Sequence, residues 1–514
     1  MRQLGFAALV VTVGLVGPAT QLYAQDPPPQ IPVTDTARQG KTLEEWAITD
    51  HSIRVGGQTI PYKASAGTTL LTTDAGDPTG LLYSVSYVRS DVKDRSTRPV
   101  SFLFNGGPGS ASMWLHMGAF GPRRVVTVNG EFTPPSPYSL VDNTETLLDK
   151  TDLVFIDAMG TGYSRATGKG KEADFFGVDE DAGAFAQFIV TWLSRNGRWN
   201  SPKFLIGESY GTFRSAVLVN LLQQRYNVHL NGISLISSVL DLSTITFADG
   251  DDRIYQYYLP SYAAVAHYFK VLKNPPASLE VLLEDARQYA TTEYAAALFK
   301  GDTLTAAEKA AVAKKLSALT GLSEEYLLKA NLRVNLGQFN AELMRGRGLT
   351  AGRIDARFTG ATFNLLTENA ESDPFFPAVG GAYTALLNHY NHEELSFGRD
   401  KTYRNTRLGG GWNWARAASG GNFFPSAPNV QRDLAQAMIT NPRLLVQVEN
   451  GYYDMATPFF PTEFTFTHLA VPDSVRQRIT LKYYPSGHMM YLQDADRVAL
   501  HRNISAFIDR AVGK

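Results

Sequence analysis

Ser209, Asp454 and His488 have the residue types and settings that could do chemistry in this chain of 514 residues. Ser209 lies in Lys203-Phe-Leu-Ile-Gly-Glu-Ser-Tyr-Gly-Thr-Phe213, where an apolar run enters Gly207-x-Ser209-x-Gly211 and an amphipathic helical pattern follows. A strand-to-helix turn this tight has no room for side chains beside the serine, so glycines flank it and the hydroxyl projects from the top of a sheet. The helix that begins just after the turn directs backbone N–H groups toward developing negative charge. A serine alone is a poor nucleophile and needs a base held against it.

In an elbow of this kind the chain order is serine, acid, histidine. Of nine histidines, His267, His389, His392, His468, His488 and His501 lie well after Ser209. His488 follows the strand pattern of residues 479–484 and a Pro485-Ser486-Gly487 turn, and loops at the C-terminal edge of strands are where α/β sites form. His501 falls in a helical pattern, and His267, His389 and His392 fall in an inserted block. The acid belongs on the loop after the preceding core strand, 444–448. Asp454 is the choice there, with Glu449 as its competitor. Its task is to accept the second imidazole N–H, fix the tautomer and stabilise the imidazolium. The Gly-rich stretch Asn105-Gly-Gly-Pro-Gly-Ser110, directly after the apolar run 100–104, can turn backbone N–H groups toward a tetrahedral oxyanion. Together these residues suit acyl transfer through a covalent intermediate.

The elements that must position them follow from the hydrophobic pattern. Residues 51–71 and 82–89 alternate and are bounded by turns, as antiparallel strands are. Short apolar runs then alternate with helical patterns: runs at 100–104, 153–156, 204–206 and 233–236, helices notably at 181–195 and 213–223. That rhythm implies βαβ units and a mostly parallel sheet. It stops near Asp241. A block rich in helix formers and aromatics follows, with helical character at 279–299 and 305–319, and it closes on a Gly- and aromatic-rich stretch, 409–424. Strand patterns return at 444–448 and 479–484. The expectation is an α/β-hydrolase fold, a mostly parallel central sheet with a helical cap insertion. Its parts are a signal peptide (1–24), a linker (25–43), the first part of the core (44–240), the mainly helical cap (241–430) and the second part of the core (431–514).

Composition narrows the function. A formal net charge of −1 gives no electrostatic case for nucleic acid or an anionic membrane as partner. With no cysteine, disulfides, thiolate catalysis and Cys-ligated zinc are excluded. Arg2, an apolar run over residues 4–16, Gly17-Pro18 and the small Ala24 form an export signal, and the run is short for a membrane span. The protein is therefore expected to be exported, to the periplasm or beyond, with no stable membrane insertion after cleavage.

Four motifs together resemble the serine carboxypeptidase family. The family's Asn-Gly-Gly-Pro-Gly is matched by Asn105-Gly-Gly-Pro-Gly109, and its Gly-Glu-Ser-Tyr elbow by Gly207-Glu-Ser-Tyr210. Its Asp-containing segment with a downstream Thr-Pro resembles 451–458, and its Gly-His resembles Gly487-His488. The loop Gly160-Thr-Gly-Tyr-Ser164 is also similar. Order and spacing agree over 102–490, including the helical insertion between elbow and acid. The resemblance implies a Ser209–Asp454–His488 triad acting on a peptide without a cofactor or metal. It also implies an oxyanion hole from the Gly107 and Tyr210 backbone N–H groups. The terminal carboxylate of the substrate would be bound by the Asn105 side chain and Glu208, with Gly106 backbone assisting. Only a protonated Glu208 can donate to a carboxylate, whereas His488 must be neutral to act as base, so mildly acidic activity is expected.

The chain departs from the family pattern at several points. The family commonly has a second Glu before a Gly-Pro, partnering the elbow Glu; here that position is Ala119. Ser110 stands for the usual Cys, Gly211-Thr212 for Ala-Gly, and the loop containing Gly160 is one residue shorter. The triad survives these changes. Ala119 keeps open ester or amide hydrolysis, or acyl transfer to another acceptor, at the same site. Two further classes are a non-catalytic binder on the same fold and a metalloenzyme using His389-x-x-His392-Glu393-Glu394. The second lacks zincin order and an evident third ligand. Lys169 and its neighbouring glycines form no Walker loop.

Overall fold

The computed structural model describes residues 44–407, 409–416 and 427–513. The expected signal peptide and linker, and residues 417–424 of the Gly- and aromatic-rich stretch, lie outside these.

The described residues begin with three antiparallel strands, β1 (Trp46–Val55), β2 (Gln58–Thr72) and β3 (Pro78–Arg89). The alternating stretch 51–71 is thus two strands rather than one. The turn at Gly56-Gly57 reverses the chain with both residues at positive φ, +55° and +83°, where a Gly-Gly pair is favoured because it carries no Cβ. A two-residue strand, Arg165–Ala166, pairs with β3 off the main path, and six longer strands build the rest of the sheet: β4 (Val100–Phe104), β5 (Asp152–Ile156), β6 (Lys203–Glu208), β7 (Gly232–Ile236), β8 (Leu445–Gly451) and β9 (Ile479–Tyr484). Their spatial order is β1-β2-β3-β5-β4-β6-β7-β8-β9, and every pair from β5 onward is parallel.

Strand residues alternate between the two faces, as a period of two requires. Phe102, Phe104 and Leu205 enter one apolar cluster with helices α1 (Val178–Arg195) and α2 (Tyr210–Tyr226). Leu103, Phe204 and Ile206 enter a second on the opposite face, which includes Phe507 and Ile508 of the C-terminal helix. Burying a phenylalanine side chain contributes about 1.5–3 kcal/mol, so these two layers hold β4 and β6 firmly at the centre. In α1, Asp179, Glu180 and Asp181 fill the first turn and Arg195 the last, matching the helix dipole at both ends.

Between β7 and β8 the chain leaves the sheet. Helices α3 (Arg253–Tyr268), α4 (Leu279–Thr291), α5 (Glu293–Lys300) and α6 (Ala306–Thr320) share their own apolar cluster. The pattern at 279–299 predicts one helix, but it breaks at Thr292, whose φ and ψ are −120° and −95°. The Thr291 and Thr292 hydroxyls bond back to the Arg287 and Gln288 carbonyls, a competition with the helical ladder that β-branched hydroxyl residues favour. Further on, the helix Phe375–His389 joins the sheet-side cluster through Val379 and Tyr383.

Candidate active site

The turn from β6 into α2 forces Ser209 to φ 60° and ψ −130°, a region that a residue with a side chain occupies at a cost of about 1–3 kcal/mol. The surroundings impose it. A Cβ on Gly207 would overlap the Gly211 backbone, and one on Gly211 would come within 2.8 Å of the Phe104 carbonyl oxygen. Ser209 N–H donates to the Ile236 carbonyl at 2.9 Å, so the strand ladder holds the serine backbone itself. Tyr210 is the first residue of α2, and its N–H is among those without an intrahelical acceptor.

Sheet register brings the Gly-rich loop to the elbow. Phe104 pairs with Gly207, so Asn105 lies level with Glu208. Its Nδ2 donates to Glu208 Oε1 at 2.8 Å, while its Oδ1 accepts the Leu115 N–H at 3.0 Å. Gly106 then packs backbone against backbone: a Cβ there would overlap the Tyr210 amide nitrogen. Gly107 follows at φ +109°. Behind this loop the buried Arg214 pairs with Asp181 at 2.6 Å and donates to the Asn105 carbonyl at 2.8 Å.

Asp454 and His488 meet above the neighbouring strands. His488 Nδ1 lies 2.7 Å from Asp454 Oδ2. The Thr457 hydroxyl donates to the same oxygen at 2.8 Å, and the Ala456 and Thr457 N–H groups donate to Oδ1 at 2.8 and 2.9 Å. These donors fix the plane of the carboxylate. The competitor Glu449 is elsewhere. Strand β8 runs on to Gly451, so Glu449 pairs in register with Ile236 and Lys482 inside the sheet. Its carboxyl accepts from Tyr484 Oη and Gln447 Nε2, both at 2.6 Å.

Burial pulls the His488 imidazole down, but Asp454, by charge and hydrogen bond, and Glu208 carry it above its ordinary value. Burial pushes the Glu208 carboxyl up to about 7; His488 and Tyr491 oppose the rise, Asp454 adds to it and Asn105 opposes it. A carboxyl with this value is protonated at mildly acidic pH and is then a hydrogen-bond donor, the form that can bind another carboxylate.

Several contributors were not singled out from sequence. The segment 353–358 runs between the acid and histidine loops. Met455 N–H donates to the Arg353 carbonyl, Ala356 N–H to the Tyr453 carbonyl, and His488 N–H to the Ile354 carbonyl at 2.9 Å. Thr457, visible as the Thr-Pro downstream of Asp454, is the one with a sequence signal. Trp412 and Trp414 pack on the Tyr210 ring at 5.4 and 6.0 Å between centroids. Tyr257 and Tyr258 are buried in the helical cluster, with Tyr255 packed against it. His389 ends its helix and His392 lies in the turn after it; among the described residues no group of three or more His, Asp or Glu is placed to hold a metal ion.

Residues 71–260 match the family model described as serine carboxypeptidase. Serine carboxypeptidase-like 36 of Arabidopsis thaliana is 27% identical over 151 residues, 29% of this chain and 30% of that protein. Serine carboxypeptidase-like 33 of the same plant is 32% identical over 138 residues, 26% of this chain and 27% of that one. The chain thus spans about a third of the length of the serine carboxypeptidase-like proteins it matches. The fold similarity is broader. Kex1(delta)p, a prohormone-processing carboxypeptidase from Saccharomyces cerevisiae, superposes with a TM-score of 0.52 at 15% identity, over 88% of this chain and 91% of that one. The fold is that of the α/β-hydrolases, as the sequence pattern implies.

Proposed function

We propose that this protein is a serine-type carboxypeptidase that releases C-terminal residues from peptides. The observation that carries the reading is the buried Asn105–Glu208 pair, whose Glu208 immediately precedes Ser209. A carboxyl that is protonated at mildly acidic pH, side by side with a carboxamide, suits a terminal carboxylate. Ser209 attacks the scissile carbonyl, with His488 accepting its proton and Asp454 stabilising the imidazolium. The Gly107 and Tyr210 N–H groups receive the oxyanion. His488 then protonates the leaving amino acid, and water releases the acyl group by the same steps.

The helical part, 241–430, acts as a cap in this reading, roofing the site and shaping side-chain pockets. The apolar N-terminal pattern supports export to the periplasm or beyond. Among the described residues no helix is long and apolar enough to cross a membrane.

The test is turnover of an N-blocked dipeptide beside its C-terminal amide, from about pH 4 to about pH 9, with wild type and Ser209→Ala. Release of the last residue from the free acid, lost in the variant, is the expected result. Ala119 favours a second reading, an esterase, amidase or acyltransferase on the same triad. Cleavage of simple esters with neither peptide cut would select it.

A further inference from the structure

Buried polar atoms are nearly always hydrogen-bonded, and each exception asks for an explanation. Two exceptions stand together beside the elbow. Glu208 Oε2 and Tyr491 Oη are both buried without a hydrogen-bond partner, in residues only 3% and 2% exposed. The phenol neighbours both the Glu208 carboxyl and the Asn105 carboxamide, yet makes no bond of normal geometry to either. Its ring rests on the turn Leu115–Phe120, where a Cβ on Gly118 would come within 2.7 Å of Tyr491 Cε2 and overlap the Tyr383 hydroxyl. That turn begins at the N–H bound by Asn105 and carries Ala119, an apolar residue 1% exposed. One small region therefore holds an amide donor, a carboxyl and a phenol, with an oxygen of each of the last two unpartnered.

We propose that Tyr491 is a specificity-determining residue whose hydroxyl donates to the terminal carboxylate of the substrate, beside Asn105 and Glu208. This rests on the carboxypeptidase reading and adds to it a residue outside the four motifs. A phenol suits the place. Burial holds it well above its ordinary value, so it stays a donor over the pH range in which the triad works and brings no negative charge of its own beside Glu208. The orphan oxygens are then the contacts that substrate completes.

Tyr491→Phe removes an oxygen that has no hydrogen bond of full geometry, so the fold should be kept and the thermal midpoint should change little. KM for the free-acid dipeptide should rise about ten- to a hundredfold, the worth of a hydrogen bond to a charged group. kcat should stay within about twofold, and turnover of the matching ester or amide should not change. An unchanged KM, with wild type still preferring the free acid, overturns the role of Tyr491 and leaves the carboxypeptidase reading standing. If wild type shows no preference for the free acid, that reading fails, and calorimetric binding of the free-acid dipeptide to Ser209→Ala decides the inference separately. A tenfold or greater loss on adding Tyr491→Phe supports it; equal or undetectable binding in both overturns it.

Discussion

Arg357 Nη2 donates to Asp355 Oδ2 at 2.6 Å and to Ser486 Oγ at 3.0 Å, two residues before His488. Its Nη1 also reaches Gln493 at 2.6 Å. A Cβ on Gly487 would overlap the Asp355 carboxyl, and one on Gly451 would overlap the Gly487 carbonyl. The acid loop, the histidine loop and the segment 353–358 are therefore packed with no slack. A pair buried this deeply, 3% and 0% exposed in its side chains, leaves an uncompensated charge when one partner is removed.

Arg357→Met should consequently destabilise the protein by about 3–5 kcal/mol in denaturant unfolding, with the Asp355→Leu/Arg357→Met double variant recovering part of the loss. Strict additivity of the two single changes would show that the ion pair is not the source.

Asp454→Asn should lower kcat by roughly 10³–10⁴-fold, because the amide favours the wrong imidazole tautomer. Glu449→Gln should leave kcat within a few-fold, since Glu449 bonds to Tyr484 and Gln447 and not to His488. Steady-state kinetics of the pair of variants separates the two carboxylates; equal losses would contradict the assignment.

The same Glu449→Gln variant should alter how stability depends on pH. Burial pushes Glu449 up to about 7, with Tyr484, Gln447 and Lys482 opposing the rise. Unfolded, it titrates near about 4.3. Between those values the unfolded chain has released the proton that the native state keeps, so native stability falls as pH rises through this window and levels off above it. Relative to wild type, the variant should gain stability from about pH 5 to pH 8, by an amount on the order of 2–3 kcal/mol at most. Urea midpoints at the two pH values measure it, and a difference that does not change with pH would refute it.

For free-acid peptides, kcat/KM should be bell-shaped and centred near or just below neutrality. The rising limb requires neutral His488, whose protonated form Asp454 and Glu208 favour. The falling limb requires protonated Glu208, which ionises at about 7. The two groups are close enough that the apparent values belong to the pair. Glu208→Gln should abolish the falling limb, and ester substrates should lack it. A profile with the same falling limb in the variant would detach that limb from Glu208.

Gly106→Ala should lower kcat by about 10²–10³-fold, the worth of one oxyanion donor. Its Cβ would collide with the Tyr210 amide, a backbone atom that cannot swing aside. Activity near wild type would mean that the loop is looser than its packing indicates.

Much of this was legible in the sequence because the signals are local. The strand patterns at 100–104 and 479–484 match β4 and β9 end to end, and the elbow is announced by glycines that leave no room for a Cβ. The Gly56-Gly57 reversal was equally local but was masked by alternation continuing through it. Glu449 and Asp454 were harder to separate. The choice depended on β8 extending three residues beyond its apolar run, and hydrogen bonds to β7 and β9 extend it, not the side chains of β8. Arg357 and Tyr491 carry no motif at all.

Taken alone, the sequence determined the tight turn at Ser209 and the strand–helix rhythm around it, since each is a matter of sterics or periodicity within a dozen residues. Tertiary structure decided which carboxylate meets His488, which segment braces it, and which hydroxyl lies beside Glu208. Those outcomes depend on ångström-scale placement among segments up to several hundred residues apart in the chain, and only the packed sheet and its loops bring such segments together.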